Sequence, residues 1–236
     1  MSNFFSFLFD TAVKQKLEIW DLKGKLKAYG ILPIDYSFLP KDWVEIPAEK
    51  LKTEKKYSIY NIYIPQALTD LLDSSLVSRR IALNFKNFVG TEEQTIMEVI
   101  NWCIKNIYYI TNQEQFKKLD LWTNGDTALI SNKGDCDISV RAAIRVLKDV
   151  IYQNRLSLSP EHIFQMYGYY VDENGDKWGH SWMMIWTSKE FRIYEMTRDN
   201  PYPSAIESEP SGSYVPWFCH NNRKGWQQQE GWEMFL

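Results

Sequence analysis

The run KGDCDISVRAAIRVL carries Cys136, and 44 residues further on His180 stands in the segment GHSWMMIW. A thiol at the start of a helix and an imidazole on a separate strand are the two parts that a cysteine nucleophile needs. An ordinary thiol is mostly protonated at neutral pH, and only the thiolate attacks a carbonyl carbon well. Two local features are expected to favour the charged sulfur: the N–H groups and dipole of the helix start, and proton transfer to His180 to form an ion pair. Gly134 is expected to permit a tight approach of the backbone that exposes the sulfur. The pattern points to acyl transfer or hydrolysis at a thiol.

The imidazole needs an orienting partner, and hairpin arithmetic nominates one. If the strands flanking Ser188-Lys189 close with an even loop, Thr187 faces Glu190, Trp182 faces Glu195 and His180 faces Thr197. His180, Trp182 and Glu195 then share a sheet face, and a diagonal separation of roughly 7–8 Å lets a glutamate reach the ring. Glu195 is the first candidate for that role, with Asp199 as the fallback; an odd loop would reverse the facing. A two-residue turn at Asn174-Gly175 sets Tyr169 across from His180, where it could line a cleft or simply pack. The backbone N–H of Cys136 is the natural first donor to an oxyanion, and the second donor stays open.

These residues must be carried by a core large enough to hold them. At 236 residues the chain suits one principal domain. Thr91 and Gln94 form a capping-box pair ahead of Ile96, Met97, Ile100, Cys103, Ile104 and Ile107, which predicts a helix over about 92–108 with Cys103 in the core. Residues 111–134 read as a polar, turn-rich loop. A second, amphipathic helix is predicted over 136–151, with Arg141, Arg145, Lys148 and Asp149 on its polar side. FQMYGYYV, GHSWMMIWT and EFRIYEM follow as β-rich runs, so the expected class is α+β, with the nucleophile helix packed on an antiparallel sheet. Residues 1–75 read as an N-terminal extension whose charged segment 47–57 is a solvated loop. Residues 76–236 form the main domain, ending in an aromatic tail in which Trp217, Trp226 and Trp232 are candidates for exposed stacking.

GDCD at 134–137, HSW at 180–182 and YEMT at 194–197 resemble the Cys, His and Asp motifs of the transglutaminase-like superfamily, including its bacterial cysteine-peptidase branch. LWTNGDTAL at 121–129 is similar to the Trp-containing segment that precedes the nucleophile there. The likeness spans about residues 76–200. It implies a papain-like fold with Cys136 as nucleophile, His180 as base and Glu195 as third member, and it makes Trp122, Thr123, Tyr169 and Trp182 candidates for substrate or oxyanion contact. The chain departs from the family in having Glu195 for the usual Asp and Thr123 where Gln often stands as an oxyanion donor.

Three functions fit. The first is a cysteine peptidase or amidase acting on peptide or isopeptide bonds of a protein substrate. The second passes the same acyl group to an amine and so forms cross-links. The third is a non-catalytic assembly protein on this fold, such as a phage virion component, which associates with itself or its neighbours through FFSFLF at 4–9 and the aromatic tail. A net charge of −3 gives no general attraction to nucleic acid, no apolar run approaches the roughly 18 residues of a membrane span, and the first residues lack a basic leader. A cytoplasmic setting, in the host or in a virion, is expected, and the three dispersed cysteines suit a reducing compartment. No metal or organic cofactor is implied. Cys219 and His220 are adjacent and point apart in a strand, and Asp172, Asn174 and Asp176 read as a turn rather than a calcium loop.

Overall fold

In the computed structural model, residues 36, 37, 39, 41–57, 62–117, 121–154, 156–186, 191–197 and 212–228 are described. The elements, in chain order, are β1 Trp43–Glu45, β2 Lys52–Tyr57, β3 Ile62–Ala67, α1 Leu76–Ala82, α2 Glu92–Asn106, β4 Tyr108–Tyr109, α3 Asn112–Phe116, α4 Asp126–Ser131, β5 Lys133–Gly134, α5 Cys136–Asn154, β6 Ile163–Asp172, β7 Lys177–Trp186, β8 Phe191–Tyr194, β9 Gly212–His220 and β10 Gly225–Gln228. All of them fall within the unit spanning residues 41–236. The class is α+β, with α5, the helix that begins at Cys136, lying on an antiparallel sheet. Among the described residues, no helix is long and apolar enough to cross a membrane.

The sheet runs β1-β10-β9-β6-β7-β8, and every neighbouring pair is antiparallel. One face of its β6–β8 half presents Ile163, Met183, Ile185 and Tyr194 to Ile144, Leu147 and Ile151 of α5. Helix α2 packs from the other side of α5 through Ile96, Val99, Ile100 and Cys103, and starts with the expected capping box between Thr91 and Gln94. Cys103 is a core thiol with no exposure.

Helix α5 departs from the amphipathic expectation, because every residue from Asp137 to Ile151 is buried. Its polar stripe faces protein instead of water. Arg145 donates to the Leu71 carbonyl at 3.1 Å and Lys148 to that of Leu72 at 3.0 Å, so both cations close the end of the 3-10 helix Leu68–Leu72. Asp149 accepts from Ser78 of α1 at 2.6 Å, and Arg145 lies 3.3 Å from Asp126 of α4. Charged groups are buried where each finds a partner, and backbone carbonyls supply acceptors that residue types do not reveal.

Three loop expectations are corrected. Residues 47–57 contain a 3-10 turn at Ala48–Lys50 and strand β2, paired with β3 in register from Lys52↔Ala67 to Tyr57↔Ile62. Residues 111–134 hold α3, whose Thr111 and Glu114 form another capping box, and α4. The segment 212–228, expected as part of a tail, supplies β9 and β10, and Trp226 is only 4% exposed. FFSFLF, Trp232 and Asp199 lie outside the described residues.

Candidate active site

Cys136 is the first residue of α5. Asp135 caps the helix through its side-chain oxygen, which accepts from the Ile138 N–H at 3.2 Å, and its carbonyl accepts from Ser139 at 3.0 Å. The chain reaches this point along β5, a parallel neighbour of β4 fixed by the bonds Tyr108 N–H to Asn132 O at 2.8 Å and Ile110 N–H to Gly134 O at 3.1 Å. Gly134 serves by packing and not by unusual dihedrals: a β-carbon there would come within 3.2 Å of Ala128 and Ser139. Cys136 is partly exposed, whereas Cys103 and Cys219 are sealed in the core.

His180 and Glu195 meet as the strand arithmetic requires. Pairing of β7 with β8 runs from Met183↔Tyr194 to Trp186↔Phe191, the even register, which brings Glu195 alongside Trp182 at the end of β8. Glu195 Oε2 accepts from His180 Nε2 at 2.7 Å and from the Tyr214 hydroxyl at 2.8 Å. Its Oε1 accepts the N–H groups of Met196 and Thr197 at 2.7 and 2.9 Å and the Thr197 hydroxyl at 3.0 Å. The longer glutamate side chain thus folds back over its own following turn. Burial opposes its ionisation, but the His180 bond and charge, the Tyr214 hydroxyl and the Thr197 N–H together hold it down at about 2. An ionised carboxylate can only accept, so Nε2 carries a proton, and in the ring's neutral form the lone pair is on Nδ1.

The Ser181 backbone, next to His180 in the chain, favours the thiolate of Cys136. Burial, followed by the carboxylates of Asp137 and Asp135, nonetheless pushes the thiol above its ordinary range.

The β6–β7 hairpin differs from expectation by one residue. Glu173, Asn174 and Gly175 form a three-residue loop, with Gly175 at φ 84 and Asp172 Oδ1 accepting from the N–H groups of Asn174 at 2.8 Å and Asp176 at 3.0 Å. His180 consequently pairs with Gly168, and Tyr169 pairs with Gly179. Trp182 has no exposure and backs the imidazole, with ring centroids 6.1 Å apart; it also lies 4.8 Å from Tyr214. Gly168 makes room for this arrangement beside a bulge in the β6–β9 pairing, since a β-carbon would stand 2.1 Å from the Val215 carbonyl oxygen and 2.8 Å from the Trp182 ring. We expect Gly168→Ala to cost about 2–3 kcal/mol in urea unfolding, and an unchanged midpoint would contradict that account.

Trp122 and Thr123 form a strap across α5. Trp122 stacks on Tyr167 at 4.9 Å and lies under the Arg141 guanidinium, whose carbon is 4.9 Å from the ring centre. Arg141 also donates to the Thr123 carbonyl at 2.6 Å. The Thr123 hydroxyl is buried and makes no hydrogen bond among the described residues.

No family model and no curated protein matches the chain. Among solved structures, LapG of Legionella pneumophila aligns with a TM-score of 0.40 at 15% identity, over 69% of this chain and 73% of that one in its EGTA-treated form, and over 69% and 75% in its calcium-bound form. A candidate cysteine protease of Cytophaga hutchinsonii aligns with a TM-score of 0.37 at 13% identity, over 79% and 70% of the two chains.

Tyr214 and Gly168 escaped the sequence reading. The alternation in GSYVPWFCH is a strand signal that could have placed Tyr214 in the sheet, although its pairing with β6 spans more than forty residues and no local pattern reports it. Trp217 is half-buried against the Tyr167 cluster. His220 is fully buried and stacks on Tyr167 and Phe218 at 5.8 and 5.5 Å, which makes it a packing residue.

Proposed function

We propose that this protein is a thiol hydrolase of transglutaminase-like type that cleaves amide bonds in a peptide or protein substrate. The observation that carries the reading is the meeting of α5 and β7: Gln165 bonds both to the carbonyl of Asp137, which follows Cys136, and to the hydroxyl of Ser181, which follows a His180 whose Nε2 is fixed by Glu195. In the reaction, the Cys136 sulfur bonds to the carbonyl carbon while His180 Nδ1 takes the thiol proton. His180 then returns that proton to the amine as the C–N bond breaks, leaving a thioester. Water attacks the thioester with His180 as base, releasing the acid and restoring the thiol. Glu195 holds the ring tautomer throughout. The backbone N–H of Cys136 at the first helical position and the Thr123 hydroxyl, which has no partner among the described residues, are the two groups we assign to the oxyanion.

The test is alkylation by iodoacetamide at neutral pH, followed residue by residue by peptide mass spectrometry. Cys136 should label in the native protein while Cys103 and Cys219 stay protected until unfolding. His180→Ala should slow Cys136 by about tenfold or more, since a raised thiol depends on the base. Labelling of Cys136 that is indifferent to His180 would turn attention to the scaffold reading, in which the fold serves assembly without chemistry.

A further inference from the structure

One buried carboxamide joins the two halves of the candidate site. Gln165, on β6, is fully buried and makes three hydrogen bonds. Its Nε2 donates to the backbone carbonyl of Asp137 at 3.0 Å and reaches the Ser181 hydroxyl at 3.1 Å, and its Oε1 accepts from Arg141 Nε at 3.2 Å. Asp137 is the residue after Cys136, and Ser181 is the residue after His180. The Ser181 hydroxyl donates in turn to the Met166 carbonyl at 2.9 Å, which locks its orientation. Apart from these bonds and the one from Arg141 to the Tyr167 hydroxyl at 3.0 Å, helix α5 meets this part of the sheet through aliphatic contacts, which tolerate sliding in a way that directional bonds do not.

The geometry points to Gln165 as the positioning residue that sets the spacing between the thiol-bearing turn and the His180 strand. It touches neither the sulfur nor the imidazole, and it acts by bracketing the residue that follows each. This inference rests on the Cys136 and His180 reading given above. Arg141 steadies the bracket from behind, because its remaining nitrogens are committed to Thr123, Asp137 and Tyr167.

The experiment measures iodoacetamide alkylation of Cys136 at pH 7 in four proteins: native, His180→Ala, Gln165→Met and the double variant. Methionine matches glutamine in length but makes none of these hydrogen bonds. The readout is the factor by which His180→Ala slows labelling. We expect about tenfold or more in the native background and less than about threefold in the Gln165→Met background, while Cys103 and Cys219 remain protected. Ile163→Val is the control for loosening: it weakens the same strand without touching the bracket and should leave the factor intact. If the factor persists in Gln165→Met, the bracket is refuted and the active-site reading stands. If His180→Ala has no effect in the native protein, both fall. Should Gln165→Met expose Cys103 and Cys219, Ser181→Ala replaces it, removing only the hydroxyl end; an unreduced factor there refutes the proposal equally.

Discussion

Glu195→Gln is expected to lower amide hydrolysis by roughly 10²- to 10⁴-fold, read as kcat/KM on any peptide anilide that the native protein cleaves. Glutamine keeps the shape and can still accept the Met196 and Thr197 N–H groups with its oxygen. Its amide then faces His180 Nε2 and the Tyr214 hydroxyl, where the carboxylate had accepted from both. A donor at that position drives the imidazole proton to Nδ1 and removes the lone pair that takes the thiol proton. The variant should also report in stability. Glu195 is held at about 2 against an ordinary 4.5, a difference of at most about 3 kcal/mol for a carboxylate this deeply buried. Because the folded-state value is the lower one, the stabilisation is complete above about pH 4.5 and drains away as pH falls toward 2. The gap in unfolding free energy between native protein and Glu195→Gln is therefore widest near neutrality and closes in acid. Activity within a few-fold of native would remove Glu195 from the mechanism.

Arg141→Met should cost about 3–5 kcal/mol in urea unfolding. Arg141 has no exposed surface, and burial works against its charge, yet Asp137 and Tyr167 keep it firmly protonated. Its nitrogens are distributed over Gln165, Thr123, Asp137 and Tyr167, and its plane covers Trp122. Removing it strands Asp137, whose carboxyl burial already pushes upward and which loses the guanidinium that counters this. The double variant Asp137→Leu with Arg141→Met should recover a substantial part of the loss, because no uncompensated charge then remains buried. A single-variant loss under about 1 kcal/mol would show that the cluster contributes little beyond packing.

How much of this was legible in the sequence depended on the range of the interaction. The capping box at Thr91 and Gln94 and the even β7–β8 hairpin are local, and both emerged as read. The β6–β7 loop is equally local but was misassigned, because Asn174-Gly175 suits a two-residue turn as well as a three-residue loop. Asp172, through two side-chain bonds, selects the latter. The α5 stripe was misread as solvent-facing because its partners are the carbonyls of Leu71, Leu72 and Thr123, which every residue possesses. Cys136, His180 and Glu195 stood out by type and order, whereas Tyr214 and Gln165 are ordinary residues made significant by long-range pairing.

The strand order also governs how the surroundings of Glu195 are assembled during folding. The sheet is completed from its middle by β9 and β10, which join β6 to β1 across most of the domain. Tyr214 follows β8 in the chain and reaches Glu195 through β9, so a chain that has formed only the β6–β8 hairpins still lacks one hydrogen-bond donor to Glu195. Such non-local pairing also slows folding relative to a fold built from neighbouring contacts. The hydrogen-bond set around Glu195 is thereby completed only when β9 docks against β6, an order of assembly written into the topology itself.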